Sequence, residues 1–165
     1  MWNISHRSGN LLAFVACAAM MGYALYAQHV LGLIPCPLCV FQRMSLIALG
    51  IVLLIAAVHN PAAWGRRIYA FLVILAAGTG AGVAGRHVWL QSLPPEQVPS
   101  CGPGFDYIME SFPLADALGV IFSGSGECAE VQWLFLGLSL PTWVLINFVL
   151  IGGFGVAWNW NRSRA

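Results

Sequence analysis

Four of the five cysteines are placed to do chemistry. Cys36-Pro-Leu-Cys39 is a Cys-x-x-Cys motif, in which a disulfide is readily made and broken. Arg43 lies four residues beyond Cys39, one helical turn, so the two share a helix face and the guanidinium should favour a Cys39 thiolate. Arg43 also reads as a snorkelling headgroup anchor, which leaves its register with a redox thiol unexplained. His87 and Gln91 are four residues apart and share a face in the same way. A guanidinium, an imidazole and an amide gathered beside a dithiol suit a quinone, whose carbonyls accept hydrogen bonds and whose reduction takes up protons. His87 reads equally well as an interfacial histidine with its polar tip in water. Cys101 and Cys128 read either as a structural staple or as a second redox pair, because two dithiol pairs in reach of each other pass electrons by thiolate attack on a disulfide. Cys17 lies inside an apolar run and reads as a small filler without a role.

The elements that must position these residues are membrane spans. Of 165 residues, seven are basic (all arginine) and six acidic, so 8% are charged against roughly 25% in a soluble domain, and 59% are hydrophobic. A soluble globule of this size cannot hide so much apolar surface, and a disordered chain would not carry it. A net charge of +1 with no basic cluster argues against a nucleic-acid partner. Charge-free runs, continuously apolar rather than alternating, place helices at about 11–31, 40–58, 68–90 and 142–160. The first run is long and has no small-x-small cleavage site before Gln28, so an uncleaved span is expected rather than a signal peptide.

Arg7, Arg66, Arg67, Arg162 and Arg164 gather at one set of helix ends, which puts both termini and the 59–67 loop in the cytoplasm. The loops at about 32–39 and 91–141 then face outward, and with them Cys36, Cys39, Cys101 and Cys128, on the side where disulfides persist. All six acidic residues fall in the second of these loops. Its prolines at 94, 95, 99 and 103 forbid a helix at its start. Pro113 can open a short helix whose Leu114, Ala117, Leu118 and Ile121 share a face, suited to lying on the bilayer. Ser123-Gly-Ser-Gly126 supplies a flexible joint before Cys128. The fold expected is an all-α integral membrane protein, one four-transmembrane-helix bundle with a long periplasmic loop carrying a short interfacial helix.

Two other motifs are set aside. Gly80-Ala-Gly82-Val-Ala-Gly85 matches a dinucleotide-binding pattern but lies inside an apolar span, where Gly78 and Gly82 read as small-xxx-small helix packing. A zinc site is disfavoured by spacing, since only one of the two cysteine pairs is short-spaced. No metal is expected.

Pro35-Cys-Pro-Leu-Cys39, Gln42-Arg43, Arg86-His87, Cys101, Ser123-Gly-Ser-Gly-Glu-Cys-Ala-Glu-Val-Gln-Trp133, Phe135-Leu-Gly-Leu and Pro141 together resemble the bacterial disulfide bond formation protein B (DsbB) family, thiol:quinone oxidoreductases, over almost the whole chain. The position before Arg43, often acidic in the family, is Gln42 here. The resemblance implies a four-helix inner-membrane bundle that reoxidises a soluble periplasmic DsbA-like thiol oxidase. It implies that electrons pass to Cys101–Cys128, then to Cys36–Cys39, then to ubiquinone or menaquinone. Cys101 would form the mixed disulfide with the partner, Cys128 would attack Cys36, and Cys39 would face the quinone, with Arg43 and His87 beside it. The rivals are a vitamin K epoxide reductase-like protein, whose Cys-x-x-Cys is expected late in the chain, and a non-enzymatic membrane protein held by two static disulfides.

Overall fold

The structure is a computed structural model that describes residues 5–98, 113, 119 and 126–161. Four long helices dominate: α1 His6–His29, α2 Pro37–His59, α3 Ala63–Gln91 and α5 Leu140–Asn161. A single-turn helix, α4 Gly126–Ala129, and a two-stranded hairpin, β1 Leu134–Phe135 and β2 Leu138–Ser139, lie between α3 and α5. All four long helices are long and apolar enough to cross a membrane. At most 33% of the most apolar stretch of any of them is buried inside the protein. Leu12, Ile51, Phe71 and Leu150 are among the large side chains turned outward. Water would reject such a surface, and a bilayer accepts it.

Local chemistry sets several of the helix ends. The Ser5 hydroxyl caps α1 by accepting from Ser8 N at 3.2 Å. Pro37 occupies the first turn of α2, where a missing N–H and a fixed φ are tolerated. Asn60 ends α2 in the left-handed conformation at φ 41°, which a short polar side chain accepts.

The helices follow one another round the bundle, α1 against α2, α2 against α3, α3 against α5 and α5 back against α1. A core of Ala13, Cys17, Leu46, Leu49, Leu53, Val73, Ala77, Phe148 and Ile151 fills the interior. Helix α3 meets α5 through Gly80, whose missing Cβ leaves room for the Phe148 ring, and through Ala77 against Gly152. This corrects the expected packing pair, since nothing lies within 4 Å of a Cβ built on Gly78 or Gly82. Both stand two residues from Gly80, about 200° round the helix, and face outward.

At the end of the bundle that carries Ser5, α1 and α5 are joined by a buried polar clasp. Asn10 Nδ2 donates to Asn159 Oδ1 at 3.3 Å and Asn159 Nδ2 to Asn10 Oδ1 at 2.8 Å. Asn159 Nδ2 also donates to Gly155 O, and Asn10 Nδ2 to His6 O. Each amide thereby satisfies the other away from water.

The hairpin is absent from the all-α expectation. It pairs Leu134 with Ser139 and Phe135 with Leu138 around Leu136 at φ 52° and Gly137 at φ 77°. Two successive positive φ values match the twist of a two-residue hairpin, and leucine is a rare occupant of such a site. The expected interfacial helix after Pro113, Cys101 and most of the Ser123–Gly126 joint lie outside the described residues.

Candidate functional site

After α1 the chain turns through Gly32 at φ 70°, with Leu33 N donating to Ala27 O. It returns extended through Cys36, which is the N-cap of α2. The Cys36 carbonyl accepts from Val40 N at 3.2 Å, but its side chain makes no capping bond. The sulfur is therefore left to face the bundle. Cys39 follows in the first helical turn, and the two free thiols have sulfurs 3.0 Å apart.

His87, near the C-terminal end of α3, meets both sulfurs. Its Nε2 lies 3.8 Å from Cys36 Sγ and its Nδ1 3.9 Å from Cys39 Sγ. The ring is 3% exposed. Gln42, buried one turn into α2, donates from Nε2 to His87 Nδ1 at 3.1 Å. An amide nitrogen only donates, so the neutral ring in this arrangement carries its proton on Nε2, the nitrogen that faces Cys36.

Cys128 arrives from the other loop. It is wholly buried on α4, which packs on α3. The sulfurs of Cys36 and Cys128 and a ring nitrogen of His87 all lie within 4.8 Å of one another. Leu38, Val83 and Leu90 close round this group and keep water out. Hydrogen bonding with Cys128, then with Cys39, and then burial hold the Cys36 thiol well above the ordinary thiol range.

A cleft of about 110 Å³ opens from the cluster between the helices. Its apolar walls include Met20, Ala24, Leu46, Pro141 and Val144, and Cys36, Cys39, Gln42, Arg43, His87 and Gln91 line it too. Arg43 shares the Cys39 face as its spacing requires, but its guanidinium turns to α1. It donates to Gln28 Oε1 and, at 3.2 Å, to Ala24 O. The group that meets the Cys39 sulfur is the imidazole, which corrects the expected guanidinium neighbour. Gln91 donates weakly to Glu130 O at 3.5 Å, and its buried Oε1 has no partner among the described residues.

The expected residues Cys36, Cys39, Cys128 and His87 thus form one cluster, and Arg43 and Gln91 stand on the cleft beside it. Cys101 lies outside the described residues. Gln28 and Gln42 were not singled out as site residues by spacing. Their signal is an uncharged polar side chain at the same end of a span as the Cys-x-x-Cys motif.

A quinone would find hydrogen-bonding partners in this cleft. Arg43 has five N–H donors and spends two of them on α1. The unpartnered Gln91 Oε1 is an acceptor, which a quinol hydroxyl would satisfy.

Comparison with known proteins agrees over most of the chain. The family model described as disulfide bond formation protein DsbB matches residues 6–158. The chain is 51% identical to disulfide bond formation protein B of Methylococcus capsulatus, over 97% of this chain and 98% of that one. It is 54% identical to the protein of the same description from Chromohalobacter salexigens, over 90% of this chain and 87% of that one. For Saccharophagus degradans the identity is 52%, over 88% and 87%.

Proposed function

The chain belongs to the DsbB family of disulfide bond formation proteins, and on that premise we propose that it is a thiol:quinone oxidoreductase of the bacterial inner membrane. It reoxidises a periplasmic DsbA-like dithiol oxidase and passes the electrons to ubiquinone or menaquinone. The observation that carries this reading is the convergence of Cys36, Cys128 and His87 within 4.8 Å, with Cys39 at 3.0 Å from Cys36. Cysteines from two separate loops meet at the mouth of an apolar cleft.

The relay balances as successive exchanges. A partner thiolate attacks Cys101 of the Cys101–Cys128 disulfide and releases Cys128. The Cys128 sulfur attacks Cys36 of the Cys36–Cys39 disulfide and releases Cys39. The second partner thiol then frees Cys101, and the partner leaves oxidised. Cys101 in turn attacks Cys128, which restores the first disulfide and leaves Cys36 and Cys39 as a dithiol holding two electrons. A quinone held in the cleft by Arg43, His87 and Gln91 would supply the sink for two electrons and two protons.

The geometry supports Cys39 as the leaving sulfur. Within the Cys36–Cys39 disulfide Cys36 is the poorer leaving group, since its neighbours and burial favour the protonated thiol. Cys39 lies in the first turn of α2, where N–H groups without intrahelical acceptors receive negative charge. His87 spans both sulfurs and holds a proton at Nε2 toward Cys36. Leu38 and Leu90 exclude water from the exchange.

Purified protein given quinone and a reduced dithiol partner should oxidise the partner and reduce the quinone one for one. Quinone reduction that does not depend on the partner would overturn the reading. Within the same assay, Arg43→Gln should raise the KM for quinone about 10-fold or more, the loss of a charge-assisted donor being worth about 1.5–3 kcal/mol. Thiol exchange between the partner and Cys101 should change little. Unaltered quinone kinetics would reduce Arg43 to a headgroup anchor.

The arginine distribution sets the orientation we propose, with both termini cytoplasmic and the redox cysteines periplasmic. Reporter fusions after His59 and Ala165 should read cytoplasmic and one after Ser111 periplasmic. A cytoplasmic reading at Ser111 would separate the thiols from their compartment.

A further inference from the structure

Spacing in the sequence disfavours zinc, because only one cysteine pair is close along the chain. The fold removes that objection by delivering a third sulfur and an imidazole from elsewhere. Cys36 stands at the start of α2, Cys128 on α4 and His87 on α3, and their donor atoms lie within 4.8 Å of one another. Cys39 Sγ is 3.0 Å from Cys36 Sγ, a pair that opens by less than about an ångström on ligation, and 3.9 Å from His87 Nδ1, so it swings toward Nε2 to join the site. Three sulfurs and one nitrogen are the donor set of a closed tetrahedral zinc site.

The distances are near those such a site needs. With Zn–S at about 2.3 Å and Zn–N at about 2.0–2.1 Å, tetrahedral donors stand roughly 3.5–3.8 Å apart. Cys36 Sγ and His87 Nε2 are 3.8 Å apart, and the wider pairs close by about an ångström. Gln42 supplies the outer contact. Ligation through Nε2 requires the proton on Nδ1, and the Gln42 amide, turned over, accepts it with Oε1 as metal-bound histidines usually require. The site is dry, since Cys36, His87 and Cys128 are all buried.

We propose that the fully reduced protein binds one zinc ion through Cys36, Cys128 and His87, with Cys39 as the fourth ligand. Binding releases the thiol protons and involves no electron transfer. A sulfur engaged in a disulfide is not a thiolate ligand, so the site exists only while all three cysteines are reduced. The state in question is the one reached when electrons enter faster than quinone removes them, and to that extent the proposal rests on the relay. Zinc then occupies both Cys36 and Cys128 and holds the protein out of the cycle.

The test uses the full chain in detergent or nanodiscs, chemically reduced, with neither quinone nor partner present, so its outcome is independent of the relay. Zinc titrated against a chromophoric chelator should bind one ion per chain in the reduced protein and none in the disulfide form. Cys128→Ser and His87→Gln should each weaken binding by on the order of 100-fold, and Gln42→Leu by about 10-fold. Cys17→Ser should leave it unchanged. Cobalt added to the unsubstituted reduced protein should give the intense visible bands of tetrahedral thiolate coordination, a readout that no misfolded variant can confuse. Weak six-coordinate cobalt spectra, equal zinc binding by the disulfide form, or loss of zinc in Cys101→Ser with retention in His87→Gln would each overturn the site.

Discussion

Cys128→Ser should split the reaction into two halves that no longer communicate. Cys128 is the one described sulfur that reaches the Cys36 cluster from the second loop, lying within 4.8 Å of Cys36. Without it, Cys101 has no disulfide to offer the reduced partner and Cys36 has no attacking sulfur. Steady-state oxidation of the partner should fall by on the order of 10⁴-fold, the scale of losing a covalent nucleophile. Quinone should still be able to keep Cys36 and Cys39 as a disulfide, because both residues and the cleft beside them are intact. Mass mapping without reductant should therefore show Cys36 joined to Cys39 while the partner stays reduced. Given oxidised partner instead, the Cys101 thiol should be the one that carries it. Normal turnover, or partner attached to Cys36, would mean that the loops do not exchange in this order.

Cys39→Ser should block the opposite side with an effect of similar size. Among the described residues Cys36 then keeps one sulfur within reach, Cys128, apart from the lost Cys39 at 3.0 Å. The Cys36 thiol attacks Cys128 of the Cys101–Cys128 disulfide, so one disulfide is exchanged for another and Cys101 is released as a thiol. The Cys36–Cys128 link should accumulate without any added oxidant, and quinone reduction by the partner should stop. A variant that holds only Cys101–Cys128 at equilibrium would show that the two loops do not approach in solution as they do in the structure. The two substitutions together locate the block on either side of one sulfur.

Much of this was legible in the sequence because membrane spans are written in composition. Charge-free runs gave four helices, with ends displaced by up to five residues where α3 starts at Ala63 rather than about 68. At α3 the helix runs on through Arg66 and Arg67, where the charge-free run stops, and at α1 the Ser5 cap sets a start that apolar content does not report. The place of Cys36 at a helix start was readable from Pro37. Which faces turn inward was not readable. These helices are apolar nearly all round, so no stripe distinguishes core from lipid. Gly80 rather than Gly78 or Gly82 meets the neighbouring helix, and Arg43 turns to Gln28 rather than to Cys39. The pairing of Gln42 with His87 depends on the rotation of α2 against α3, a tertiary quantity. The hairpin at Leu134–Ser139 escaped because Leu136 is no turn signal, and only Gly137 hinted at it.

The Asn10–Asn159 clasp has a bearing on how the protein is made. Asn10 enters the bilayer with the first helix, and Asn159 sits two residues from the end of the last. During synthesis, every intermediate with one, two or three helices inserted therefore carries an Asn10 amide whose native partner has not yet left the ribosome. The same holds for the space at Gly80, which Phe148 fills only when α5 arrives. The bundle closes at its final helix, and the polar mismatch of a chain cut short is built into its first.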